Sequence, residues 1–281
     1  MSTHPKKSSD PHHGYGCCLV GLILPFIGLA VFAVLVTSGS ETPPGSAPGP
    51  GGPRPAYGNP ISKLLETPEP TTRREGVAAA ILLDTSGSMK NPVGDADGSA
   101  RPKLDIARRA MLQVLKQFDA YAKAHPGLEA RVGIYEFSGR PKRPACRPVV
   151  LLSQPDLKIA EPLLQQMIPD GNTPIGDAMI EAKRDLDATG ISRLHLLVVT
   201  DGENNQGYAP GDVTLALAQQ PAEKRAAVYF IAFDIAKDKF HAVMGAGGVV
   251  LGASNGQELR QTLDSILTGQ ILVEQPEPPK R

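Results

Sequence analysis

From residue 76 onward the chain alternates continuous apolar runs with helical stripes. Val77 to Leu83 carries no polar side chain, as expected of a parallel strand buried on both faces. Lys103 to Lys123 places Leu104, Ala107, Met111, Val114, Leu115, Phe118 and Ala122 at three- and four-residue intervals, so a helix there presents one core-facing stripe. Strands are expected at Arg131 to Phe137 and Pro148 to Leu152, joined by a hairpin rich in Pro and Arg. Helices follow at Asp156 to Met167 and Pro174 to Leu186, the second opened by Pro in its first turn. Leu194 to Thr200, Ala227 to Phe233 and Val249 to Leu251 complete the strands, and Gln257 to Leu267 is a last helix with Leu259, Leu263, Ile266 and Leu267 on one face. This alternation predicts an α/β fold: a doubly wound, mainly parallel central sheet flanked by helices.

The first 75 residues follow different patterns. Cys17 to Val36 is a run of 20 residues with no charged side chain. As a helix it would rise about 30 Å, the thickness of a bilayer's hydrocarbon core. Gly21, Pro25 and Gly28 are costly in a soluble helix and tolerated in a membrane one. Lys6 and Lys7 precede the run and the next basic residue is Arg54, so the positive-inside bias puts residues 1–16 in the cytoplasm and everything after the span outside. A cleaved signal peptide is the alternative, with Ser38-Gly39-Ser40 its only cleavage candidate; its apolar region would run only about 7–15 residues. The expected organisation is therefore a cytoplasmic tail (1–16), one transmembrane signal-anchor helix (17–37), a spacer rich in Pro and Gly (38–75), the α/β domain (76–272) and a tail rich in Pro (273–281). Within the spacer, Ile61 to Leu65 is expected to form a short turn.

Charge narrows the function. Basic and acidic residues number 29 each, and residues 77–272 hold 21 and 22. A balance so near neutral argues against bulk electrostatic binding of nucleic acid. Only Cys146 of the three cysteines lies in the domain, so its stability rests on the core and not on a disulfide inside it.

The chemistry-bearing residues punctuate the strands. Asp84-Thr85-Ser86-Gly87-Ser88 follows the first strand, Gly171-Asn172-Thr173-Pro174 opens a later helix, and Asp201 ends the strand Leu194 to Thr200. In an open α/β sheet ligands gather at the carboxyl ends of strands, so Asp84, Ser86, Ser88, Thr173 and Asp201 are brought to one edge from three loops. These three motifs, in this order, resemble the metal-ion-dependent adhesion site of the von Willebrand factor type A family. The resemblance spans about Gly76 to Ile271 and implies that Ser86, Ser88 and Thr173 ligate the metal through hydroxyls, with Asp84 and Asp201 acting directly or through water. Oxygen-only ligands select a hard divalent cation, Mg2+ first, with Mn2+ or Ca2+ as substitutes. The resemblance further implies a protein partner whose Asp or Glu completes the metal shell, and regulation through the final helix, Gln257 to Leu267.

Several nearby residues bear on that reading. Arg140, Lys142, Arg143 and Arg147 crowd the hairpin after the second strand; a basic loop there would flank the site and could steer an acidic partner. Lys, Arg and Pro also discourage strand pairing at a solvated edge. Glu203 is expected to contact the partner or to support the metal ligands, and is the only nameable base for a metal-dependent hydrolase. Asp95-Ala96-Asp97-Gly98 lacks the spacing of a calcium loop. No nucleophile elbow, phosphate loop or dinucleotide fingerprint is present, so no enzyme activity and no small-molecule substrate are expected. A second reading makes the protein a structural or chaperone-like part of an envelope assembly, its metal purely structural.

Overall fold

The computed structural model describes residues 60–273, apart from Glu69 and Thr71. The expected 17–37 span, the spacer as far as residue 59 and the tail beyond Val273 lie outside the described residues. Among those described, no helix is long and apolar enough to cross a membrane.

A short helix α1 (Pro60–Leu64) leads into strand β1 (Arg74–Asp84). A 3-10 turn at Gly87–Lys90 is followed by a small hairpin, β2 (Pro92–Gly94) and β3 (Ala100–Pro102), and by helix α2 (Lys103–Ala124). Then come β4 (Glu129–Phe137), β5 (Cys146–Ser153), α3 (Leu157–Gln165), α4 (Ile175–Ala188) and β6 (Ile191–Thr200). The chain ends with α5 (Pro210–Ala218), β7 (Ala226–Phe233), α6 (His241–Gly245), β8 (Val249–Ala253) and α7 (Gly256–Ile266), which runs on into a π-helical turn, Leu267–Ile271.

Six strands form one sheet in the order β5-β4-β1-β6-β7-β8. All neighbours are parallel except β4 and β5, the antiparallel hairpin. The unbroken apolar run of β1 is explained by its central place: Val77, Ala79, Ile81 and Leu83 enter the core under α2, α3 and α7, while Ala78, Ala80 and Leu82 enter the one under α1, α4, α5 and α6. From β1 the chain winds outward through β4 and β5, then crosses to the other side of β1 and winds outward again through β6, β7 and β8. That reversal opens a crevice at the carboxyl end of β1, where α/β sheets bind ligands.

Four features depart from the sequence expectation. Helices α5 and α6 and the β2–β3 hairpin were not anticipated: α5 is nine residues long and buries chiefly Val213, Ala216 and Leu217, α6 is a single turn, and strands of three residues are too short to show alternation. The fourth concerns the spacer. Its last part does not hang free; Ile61 and Leu65 are 4% and 2% exposed, packed in the core under α4 and α5. Arg184 Nε donates to the Leu64 carbonyl at 3.0 Å and Thr67 Oγ1 donates to Asp187 Oδ2 at 3.0 Å, so residues 60–68 form a strap across the domain. The short turn expected at Ile61 to Leu65 is formed, with Leu65 N–H donating to the Ile61 carbonyl at 3.0 Å, but the Pro and Gly upstream masked its packing on the domain.

Candidate metal centre

Asp84 is the last residue of β1 and is fully buried. Its Oδ1 accepts from the Ser86 backbone N–H at 2.7 Å and its Oδ2 from Thr200 Oγ1 at 2.6 Å, across the β1–β6 seam. Ser86 Oγ lies 3.1 Å from Ser88 Oγ, and Ser88 Oγ donates to Asp201 Oδ1 at 2.7 Å. Thr173 comes from the third loop. A methyl group built on Gly202 would meet Thr173 Oγ1 at 3.5 Å and Ser88 Oγ at 4.0 Å, so the hydroxyls of the first and third loops face each other across Gly202. The five residues expected to hold a metal thus come together as one cluster.

The loops are stapled to one another by backbone hydrogen bonds. Thr85 N–H donates to the Phe137 carbonyl at 3.0 Å, Gly87 N–H to Gly171 at 3.0 Å and Asp170 N–H to Thr85 at 2.8 Å. Gly171 sits at φ +87, and a Cβ there would fall 2.9 Å from the Gly139 carbonyl carbon, which explains glycine in this loop. Two asparagines that sequence reasoning missed fix the Thr173 loop: Asn205 Oδ1 accepts from Thr173 N–H and Asn204 Oδ1 from Ile175 N–H, each at 2.8 Å. Their signal was available, because Asn is a common partner for exposed backbone N–H groups at helix starts.

The donor set fits a hard cation. Burial pushes the Asp84 carboxyl up to about 7 even though hydrogen bonds from Thr200 and Ser86 pull it down; the charge of Asp201 adds to the rise. An anion made that costly by burial is relieved by a cation beside it. Thr173 is 4% exposed, and among the described residues its hydroxyl meets no hydrogen-bond partner. Among those residues no group of three or more His, Cys, Asp or Glu side chains is disposed to hold a metal, so a cation here depends on hydroxyls as much as on carboxylates.

Lys103 was not anticipated. It is 6% exposed, and its ammonium bridges Asp201 Oδ2 at 2.9 Å and Asp234 Oδ2 at 2.8 Å. Burial pulls its pKa down, but the hydrogen bonds to Asp234 and Asp201 outweigh it, and the value is raised. Nothing in the sequence near Lys103 signals this role, because both acids lie far along the chain.

The flanking residues divide. Arg140 turns inward: its guanidinium donates to the carbonyls of Ile168 and Asp170, bracing the loop that carries Thr173. Lys142 and Arg143 are exposed at the hairpin tip, and Arg147 donates to Glu136 Oε1 at 2.6 Å. Because β4 runs parallel to β1, this tip does stand on the Asp84 edge. Glu203 is exposed and pairs with Lys239 at 2.9 Å. Asp95 is neutralised by Arg109, Arg260 and Arg101 at 2.6, 3.1 and 3.4 Å, which accounts for its place in a loop that lacks cation spacing.

The model of the von Willebrand factor type A domain matches residues 80–261. No curated protein matches the chain significantly. Among solved structures, the PilB minor pilin from Streptococcus sanguinis is similar with a TM-score of 0.54 and 14% identity, over 72% of this chain and 63% of the pilin. BatB from Bacteroides thetaiotaomicron gives 0.51 and 20%, over 68% of this chain and 97% of BatB. Proximal thread matrix protein 1 from the mussel byssus, with a zinc-occupied MIDAS motif, gives 0.52 and 16%, over 69% of this chain and 48% of the mussel protein. The chain thus spans less than two thirds of the pilin and about half of the mussel protein. At these identities the likeness is one of fold.

Proposed function

The chain belongs to the von Willebrand factor type A domain family, and from that premise we propose that its Asp84 edge is a Mg2+-dependent adhesion site that captures an acidic side chain of a protein partner. One observation carries this reading: two buried carboxylates and three hydroxyls from three loops form one cluster, in which the Thr173 hydroxyl has no partner among the described residues. Asp84, Ser86, Ser88, Thr173 and Asp201 would hold the ion, whose contribution when bound is an electrophilic position for a carboxylate. The protein's own part is to keep that position rigid and partly dry. The exposed Lys142 and Arg143 add positive charge along the same edge and suit an acidic partner surface. The ion pair of the exposed Glu203 with Lys239 supports reading it as a rim contact for the partner over reading it as the free base of a hydrolase.

A purely structural metal is the weaker reading, because the loops are already joined by their own hydrogen bonds. The apolar segment 17–37 supports attachment to a membrane by one helix, with residues 1–16 in the cytoplasm and the domain periplasmic or extracellular, held off by the spacer. The test is calorimetric titration of Mg2+ into the full chain, followed by retention of membrane proteins in Mg2+ and in EDTA. One ion bound by the wild type, none by Asp84→Ala, and partners lost with either EDTA or Asp84→Ala are expected. A wild type that takes up no divalent cation sinks the proposal; partners retained equally in EDTA leave only the structural metal.

A further inference from the structure

Lys103 is an odd residue for its position. It opens α2, where the positive end of the helix dipole disfavours a cation, and it is nearly buried. Asp201 and Asp234 offset both penalties. The arrangement has a consequence for Asp201, whose side chain is wholly buried. Oδ1 accepts from Ser88 and Oδ2 from Lys103, so each oxygen already holds a donor. The two donors differ in kind. A serine hydroxyl can rotate and offer a lone pair to an incoming cation, whereas an ammonium has only protons to offer.

We propose that Lys103 is a resident positive charge that tunes the cation site: by holding one oxygen of Asp201 it lowers the affinity for a divalent ion and leaves the bound ion more strongly attracting toward a partner's carboxylate. This inference rests on the metal reading of the same site. Lys103 acts through Asp201 and is a positioning residue. Asp234 sets how strongly it acts. Its side chain is 42% exposed and competes for the same ammonium, drawing it away from Asp201. Removing the lysine charge and removing the competing carboxylate should therefore move cation affinity in opposite directions, which loss of a structural prop would not do.

The experiment titrates Mn2+ alone into the full chain in detergent and reads free Mn2+ by electron paramagnetic resonance, for the wild type, Lys103→Met, Lys103→Arg and Asp234→Asn. Asn is suited to position 234, because the residue sits at φ 56, in the left-handed region that Asn and Asp both tolerate. Lys103→Met is expected to bind Mn2+ about tenfold or more tightly, the scale of removing one charge adjacent to an ionised group. Lys103→Arg should stay within about threefold of the wild type, and Asp234→Asn should bind about threefold or more weakly. Binding by Lys103→Met that is no tighter than the wild type overturns the proposal. If Lys103→Met does not fold by circular dichroism, an Asp234→Asn affinity equal to the wild type overturns it instead. A wild type that takes up no Mn2+ overturns the metal reading and this inference with it; normal uptake with an unresponsive Lys103→Met removes this inference alone.

Discussion

Thr173 separates binding from folding more cleanly than any other residue of the site. The residue is 4% exposed and its hydroxyl has no partner among the described residues, so Thr173→Val keeps the shape and removes a group that contributes no hydrogen bond to the fold. Unfolding stability in chelator should change by less than about 1 kcal/mol, while Mg2+-dependent partner retention falls by roughly 1–3 kcal/mol in affinity. Denaturant unfolding and titration of a captured partner measure the two quantities. The same contrast shows what was legible at this scale. Asp84, Ser86, Ser88, Thr173 and Asp201 were readable because each sits where a strand ends or a helix begins, and topology does the rest. Lys103 was not, because its meaning depends on Asp201, 98 residues away, and on the strand end at Asp234. Arg140 was read as facing a partner from its charge, whereas its guanidinium braces the carbonyls of the Thr173 loop.

Among the elements, the strap of residues 60–68 carries the sharpest expectation. Leu65 is 2% exposed between α1 and the helical layer of α4 and α5, so Leu65→Ala should cost about 2–4 kcal/mol. A melting temperature unchanged from the wild type would show that the strap is not part of the folded unit. The strands and long helices were legible because a parallel strand buried on both faces must be apolar throughout, and α2 and α7 must carry stripes. Short elements follow other rules. Helix α5 is held in part by Pro at its start and by neighbours that only the tertiary fold supplies, and α1 hides inside a composition that reads as spacer.

At the scale of the whole molecule, His195 gives the domain an internal acid sensitivity. His195, on β6, is 7% exposed, stacks on Tyr229 at 5.9 Å between ring centroids, and among the described residues neither nitrogen has a hydrogen-bond partner. Burial, aided by the charge of Arg193, pulls its pKa down to about 4. Between an ordinary value near 6.5 and about 4, the unfolded imidazole takes up a proton that the folded one refuses, so this group costs stability as pH falls through that window and nothing above it. His195→Leu should therefore gain about 2 kcal/mol on the wild type between pH 7.5 and 4.5 by urea unfolding, with no such gain between pH 7.5 and 9. An equal pH dependence in both proteins would show that His195 is not the cause. The central strand has a mechanical meaning as well. Arg74 and Asp84 mark the two ends of β1, about 33 Å apart at the usual rise per residue. Residues Gly76 to Asp84 are laddered to β4, and most of the same stretch is laddered to β6. A load applied between the Arg74 and Asp84 ends runs lengthwise along this strand. Hydrogen bonds on both flanks then carry the load together, in shear, and the strand resists being drawn out where an edge hairpin would unzip one bond at a time.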